Sequence, residues 1–509
     1  MAEMSEPSSR KLFLQVFPSI MLPMFMAAVD GTIVATALPA IAGTLGEVER
    51  VSWVVVSYLL ATTIAAPVYG RLGDALGRRR MMFAALSLFI GASAMCAVAP
   101  SIIVLTIARV LQGFGGGGLM TLSQALVGEV VPPRERGRYQ GYMASVFVSS
   151  STFGPVAGGW LTQHLGWQSV FWINVPLGLV ALALVFRLPA RPPTTTKLRF
   201  DFLGLGLFSC TVVPLLLALE ESRKFDAQAL TIAAILLAIA SGALFLFLRQ
   251  QVRAPAPLLP IAFLRQEAIW RTNLMASCSG ASLVSLVTFL PIYLQVVRGT
   301  TPSDTGLRML PLTAFIAIGS MLTGQIITRT GRSAIVPSFG QPVVVGMLVF
   351  LAVFSPQLSL SQLPWVFVVI SLASGTAMPV VQTTVQMLAG PRQLGAAAAS
   401  VQFARSIGAA FGTALVGAVL FGTLAAMDTS TAALFAEMVE VGPSALGGLP
   451  AERVAVVQDQ IADAFRAAFA AIACFPALGA LMAWTMPVRR IESSRLPPAG
   501  AAAEAAASD

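Results

Sequence analysis

The sequence predicts an all-α integral membrane protein of fourteen spanning helices. Two parallel six-helix bundles are expected, with a two-helix hairpin inserted between them. Three observations lead there. The 509 residues are 56% hydrophobic and 11% charged, against about 25% charged in soluble domains. Apolar stretches recur, most near or above the ~20 residues that carry a helix across a bilayer. Glycines and arginines of the first half return in the second at a constant offset of 254 positions.

The stretches fall at 12–41, 51–69, 81–99, 101–124, 139–162, 168–188, 202–221, 229–248, 269–293, 306–328, 334–354, 363–389, 396–424 and 464–486. The first is too long for a removable signal peptide and lacks a well-placed small-residue cleavage site, so a span is expected there. With the N-terminus inside, most of the 32 Lys+Arg fall on the inner side. This is the positive-inside bias. The clusters Arg78-Arg79-Arg80, Arg134/Arg136/Arg138 and Arg489-Arg490 are read as cytoplasmic anchors. The net charge of +9 is therefore no sign of a nucleic-acid partner. Both termini are placed in the cytoplasm.

The repeat runs without gaps. Gly70, Gly77 and Arg78 map onto Gly324, Gly331 and Arg332; Arg138 and Gly141 onto Arg392 and Gly395; Gly154 and Gly158 onto Gly408 and Gly412. An offset this long means duplicated bundles. An even number of spans separates the copies, so both have one orientation, with a site expected between them near the midplane. The chain divides into a first bundle at 1–190, an inserted hairpin with its flanking loops at 191–265, a second bundle at 266–490 and a disordered tail at 491–509. The linkers at 188–199 and 249–265 are Pro-rich. The stretch 425–463 is polar enough to leave the bilayer, and 451–465 has the periodicity of a helix lying on the membrane surface.

The four cysteines, Cys96, Cys210, Cys278 and Cys474, lie in apolar segments without metal-ligand spacing and are read as small packing residues. His164 is the only histidine, too few for a metal site. The run Gly113, Gly115–Gly118 satisfies G-x-G-x-x-G, but no strand precedes it and no Lys-Ser/Thr follows, so it is not a nucleotide loop. No metal, no cofactor and no enzyme activity are expected.

Three constellations carry information. Gly70-Arg-Leu-Gly73-Asp74-Ala-Leu-Gly77-Arg78-Arg79-Arg80 forms the turn between the second and third spans. An acid there can cap a helix N-terminus. Gly141, Ser145, Ser149, Gly154 and Gly158 permit close helix approach, and Pro155 can bend the helix. Asp30 and Arg109 are opposite charges inside apolar spans, roughly 16 and 12 Å from the outer ends at 1.5 Å per residue. The 254 offset finds Val284 and Leu363 at their places in the second half.

These residues resemble the major facilitator superfamily over about residues 12–486. Gly70–Arg80 is similar to its motif A; Arg109, Gln112 and Gly113 to motif B; Gly141, Gly154, Pro155, Gly158 and Gly159 to antiporter motif C, with Ser150 replacing one glycine. Asp30-Gly31-Thr32 with Ala37-Leu38-Pro39 resembles the first helix of the fourteen-helix drug:proton antiporters of the EmrB/QacA type. Trp53 with Tyr58, the run from Trp167 to Pro176, and Pro291 to Gln295 add to the match. The resemblance implies a proton-coupled exporter of lipophilic drugs or toxic small molecules in the bacterial inner membrane, with Asp30 and Arg109 as the coupling pair. A charge at the bilayer centre costs about 2.5–3.5 kcal/mol, which fits an acid that exchanges a proton. An ion pair that only orders the bundle is the competing reading. Met24, Met26, Trp53, Tyr58, Phe289, Gln382, Gln386 and Phe403 are candidates to line an amphiphile cavity; for each, packing or lipid contact competes. The expected partners are a lipophilic small molecule, protons and the bilayer, with a periplasmic adaptor undecided. A facilitator or importer of an organic anion drawn to Arg109, and a non-transporting membrane sensor, are the other readings.

Overall fold

The computed structural model describes residues 9–46, 50–132, 135–188, 200–221, 227–390, 393–441 and 450–488. The first bundle comprises α1 (Ser9–Leu45), α2 (Trp53–Leu76), α3 (Arg78–Ala97), α4 (Ile102–Val130), α5 (Arg136–Leu165), and a last span broken into α6 (Ser169–Trp172) and α7 (Asn174–Val185). The hairpin is α8 (Phe202–Glu221) with α9 (Ala227–Arg253), followed by the short α10 (Ile261–Leu264). The second bundle comprises α11 (Glu267–Ile292), α12 (Pro302–Thr330), α13 (Ile335–Phe354), α14 (Leu363–Ser374), α15 (Ala377–Ala389), α16 (Leu394–Met427), α17 (Thr429–Val441) and α18 (Ala451–Trp484).

The repeat is visible in backbone geometry. Gly77 closes α2 at φ 93° and Gly331 closes α12 at φ 67°. Both are positive-φ positions where a side chain would be strained. The span equivalent to α4 is broken at Gly375-Thr376 into α14 and α15.

Among the described residues, twelve helices are long and apolar enough to cross a membrane. The expected fourteen is not reached by that measure. The stretch 139–162 lies in α5, which is long but rich in Gly, Ser and Thr. The stretch 168–188 forms the shorter apolar unit Ser169–Val185. A second expectation is corrected at the C-terminal side. The segment 451–465 is not a separate surface helix, because α18 runs unbroken from Ala451 to Trp484. Val457, Ile461, Ala464 and Phe465 are fully buried and continue the stripe of Ala468, Phe469 and Ile472. Most of the 188–199 linker, Arg134, Arg489-Arg490 and the 491–509 tail lie outside the described residues.

The hairpin is peripheral. Only 28% of the most apolar stretch of α8 and 22% of that of α9 is buried, against 67% for that of α2. Phe208 of α8 packs against Phe247 of α9 at 5.5 Å and Phe403 of α16 at 5.1 Å, in a cluster that includes Ile64 of α2. The hairpin therefore touches both bundles. Asp201 anchors it, accepting bonds from the Gly204 amide, Gln250 and Gln251.

Candidate functional site

Asp30 lies in the middle of the first bundle and is fully buried, as is Arg109. Helix α1 supplies the acid and α4 the base. The glycines of α4 allow the approach: a Cβ at Gly113 would meet the Tyr58 carbonyl at 2.6 Å, and one at Gly117 the Thr62 carbonyl at 2.5 Å. The glycine run thus packs α4 onto α2. On the other face, Gly154 and Gly158 of α5 seat against Thr32 and against Thr36 and Ile33 of α1. Gly159 faces open space and Pro155 sits within an unbroken α5.

Arg109 Nη1 lies 2.5 Å from Asp30 Oδ2. The same nitrogen donates to Gln112 Oε1 at 2.7 Å, and Nε donates to the Val54 carbonyl at 3.0 Å. Gln112 donates through Nε2 to Asp30 Oδ1 at 2.8 Å and to the Ser93 hydroxyl at 2.8 Å. Asn174, the first residue of α7, donates to Asp30 Oδ1 at 2.9 Å. The guanidinium lies 4.1 Å from the Tyr58 ring centroid and 5.9 Å from that of Phe171, within cation–π range. Tyr58 in turn donates to the Ala27 carbonyl at 3.1 Å. A buried pair is tolerable only with such complete hydrogen bonding. Protonating Asp30 would remove the charge facing Arg109 and turn an acceptor into a donor. The network joins α1, α3, α4 and α7.

A second network closes one end of the bundle. Arg78 is ion-paired to Asp74 at 2.6 Å and also bonded to Glu129. Asp74 reaches across to the second half, accepting from the Gly395 amide at 2.9 and 3.0 Å and the Ala396 amide at 3.1 Å. It thus sits at the positive N-terminus of α16. Beside it, a Cβ on Gly70 would meet the Gly395 carbonyl at 2.6 Å. Gly324 of α12 meets Gly137 of α5 in the same backbone-to-backbone way, and Gly141 abuts Met321. Gln386 donates to the Gln124 carbonyl at 3.0 Å. Asp74→Asn weakens the cap and the Arg78 pair, a loss of about 1–2 kcal/mol, or roughly 5–30-fold in an equilibrium. A cysteine replacing Ala399, which is fully buried beside Gly70, should then be labelled by a maleimide faster by that factor.

The cavity candidates fall at several places in the fold, with Met26 and Tyr58 in one cluster. Met26 is packed in the first bundle's core, Tyr58 covers Arg109, and Trp53 is exposed. Gln382 and Gln386 are buried on α15. Phe403 packs against Phe208 of the hairpin. Sequence reasoning did not single out Asn174 or Ser93 as partners of the site. Glu129 lies at the C-terminal end of α4. Asn174 had one signal: an amide inside an otherwise apolar stretch.

This architecture, a helical bundle with an intramembrane ion pair and glycine-mediated seams between two repeated halves, defines a membrane transport protein. The Major Facilitator Superfamily pattern matches residues 20–413. The chain belongs to the Major Facilitator Superfamily. It is 31% identical over 467 residues to the multidrug transporter protein MdtP of Bacillus subtilis (strain 168), covering 88% of this chain and 84% of that protein. It is 35% identical over 421 residues to the uncharacterized MFS-type transporter Rv1877 of Mycobacterium tuberculosis (strain ATCC 25618 / H37Rv), covering 80% of this chain but 60% of that one. The solved structure of the proton:xylose symporter XylE superimposes with a TM-score of 0.61 at 14% identity, covering 94% of this chain and 97% of that one. That likeness concerns the fold alone.

Proposed function

We propose that the chain is a proton-coupled exporter of lipophilic small molecules, working by alternating access with Asp30 as its proton site. The observation that carries this reading is the fully buried Asp30 held by Arg109, Gln112 and Asn174. Two side chains of α4 and the first residue of α7 converge on this one carboxylate of α1, so a change in its charge would be felt by three helices at once. The name of the Bacillus relative supports drug export. We further propose fourteen spans, with α5 and the α6–α7 unit crossing between the other twelve. Both termini then lie in the cytoplasm of a bacterial cell, below its inner membrane.

In this orientation the Asp74–Arg78–Glu129 network and the Gly70–Gly395 contact close the cytoplasmic end. The proton enters from outside and reaches Asp30. Neutralising it loosens Arg109, and the halves rock to open inward. Substrate binding from the cytoplasm or leaflet accompanies proton release, and the halves close again. The rocking needs no cofactor and makes or breaks no covalent bond in the substrate.

Everted membrane vesicles test this reading. Vesicles carrying the protein should accumulate a lipophilic dye when a proton gradient, acidic inside, is imposed, and lose it on collapse of the gradient. Uptake that ignores the gradient would overturn the coupling.

A further inference from the structure

We propose that Arg405 holds the headgroup of an amphiphilic organic carboxylate between the two bundles; this rests on the exporter reading and names its substrate class. Arg405 is a second cation inside a span, well within α16. Unlike Arg109, it has only neutral partners. Nη2 donates to Gln402 Oε1 at 3.1 Å, and the guanidinium lies 5.1 Å from the Phe147 ring centroid. Among the described residues, no carboxylate is within ion-pair distance of it.

Its position places it at the seam. Phe147 belongs to α5 of the first bundle, so the side chain spans from one half toward the other. Behind it α11 is pressed against α16, since a Cβ on Gly280 would meet the Arg405 carbonyl at 2.4 Å. The neighbouring Ser279 of α11 has a buried hydroxyl without a protein partner. Depth follows from register. Thr32 sits against Gly154 and Thr36 against Gly158. Carrying that register from α1 to α5, and then through the 254-residue repeat to α16, sets Asp30 within one residue of the level of Arg405.

The two sites thus share a depth but not a role. Asp30 is enclosed by Arg109, Gln112 and Asn174 and leaves Arg405 unneutralised. A guanidinium in an apolar seam favours an anion and disfavours a cation. Its planar fork fits a carboxylate, and the Phe147 ring offers the apolar body a surface. The expected preference is carboxylate over neutral amide over quaternary ammonium.

The test uses three probes with one apolar body: pyrenebutyrate, pyrenebutyramide and pyrenylbutyl-trimethylammonium. Binding is measured to the purified chain in nanodiscs, with empty nanodiscs subtracted. Wild type should bind pyrenebutyrate at least tenfold tighter than the amide, and the ammonium weakest. Arg405→Gln should erase the carboxylate preference while leaving amide affinity within twofold, and Arg405→Lys should keep part of it. Equal affinities for the three probes in wild type, no binding of pyrenebutyrate, or an undiminished preference in a folded Arg405→Gln would overturn the proposal. The wild-type ranking needs no variant, so it decides even if Arg405→Gln misfolds. Gradient-driven export of any of the three probes by wild-type vesicles is scored separately. Its absence contradicts the exporter reading, whereas export without headgroup preference contradicts only the role of Arg405.

Discussion

Asp30→Asn is expected to reduce gradient-driven dye accumulation in everted vesicles to that of vesicles without the protein. The substitution keeps size and one oxygen acceptor, so Arg109 or Gln112 retains a partner. What it removes is the ability to bind and release a proton. The remaining cation is not stranded, because Val54 accepts from it and the Tyr58 ring lies 4.1 Å away. The variant should therefore fold and reach the membrane, with thermal stability below wild type. Downhill dye exchange should survive in it. Undiminished gradient-driven accumulation by a folded Asp30→Asn would show that the acid only orders the bundle.

The second large effect is on stability. Arg109→Gln leaves Asp30 buried opposite a neutral amide. Removing one partner of a buried pair costs about 3–5 kcal/mol, a large part of the ~5–15 kcal/mol that holds ordinary domains together. Low yield and a steep fall in the unfolding midpoint in detergent are expected. The double variant Asp30→Asn with Arg109→Gln no longer buries a lone charge and should recover much of the loss. Its cost should be well below the sum of the two single costs, the mark of direct coupling. Additive costs would mean that the two side chains act independently, against the 2.5 Å contact.

How far the site was legible depended on the residue. Asp30 and Arg109 stood out because ionised groups are rare in apolar spans, and helix rise alone set them at similar depth. Gln112 follows from Arg109 by helical spacing, three positions on along the same face. Asn174 did not follow, since its partner is 144 residues away and no local periodicity links them. The cross-half role of Asp74 was hidden for another reason. Its partners are the backbone amides of Gly395 and Ala396, which have no side-chain signature. Phe403 shows the limit of apolar patterning. A phenylalanine on a spanning helix can face lipid, cavity or another helix, and here it faces the inserted hairpin.

The fold was legible where composition is extreme. The repeated glycines marked the halves, and Gly77 and Gly331 do close equivalent helices. Helix α5 is harder to read, because the small and polar residues that let Gly154 and Gly158 pack on α1 also lower its hydropathy. The start of α18 was misread because charges such as Asp459, Asp463 and Arg466 share the helix with the buried Val457, Ile461 and Ala464. One face is polar and the other packs against the bundle, a pattern that a surface helix shares.

Proton counterflow tests the central claim most directly. The purified chain is reconstituted into liposomes containing a pH-sensitive dye, an outward gradient of transported substrate is imposed in the export direction, and luminal pH is followed. The account predicts that wild type moves protons opposite to the substrate, and that Asp30→Asn passes substrate downhill with no proton movement above empty liposomes. Proton counterflow of wild-type size in Asp30→Asn would contradict it.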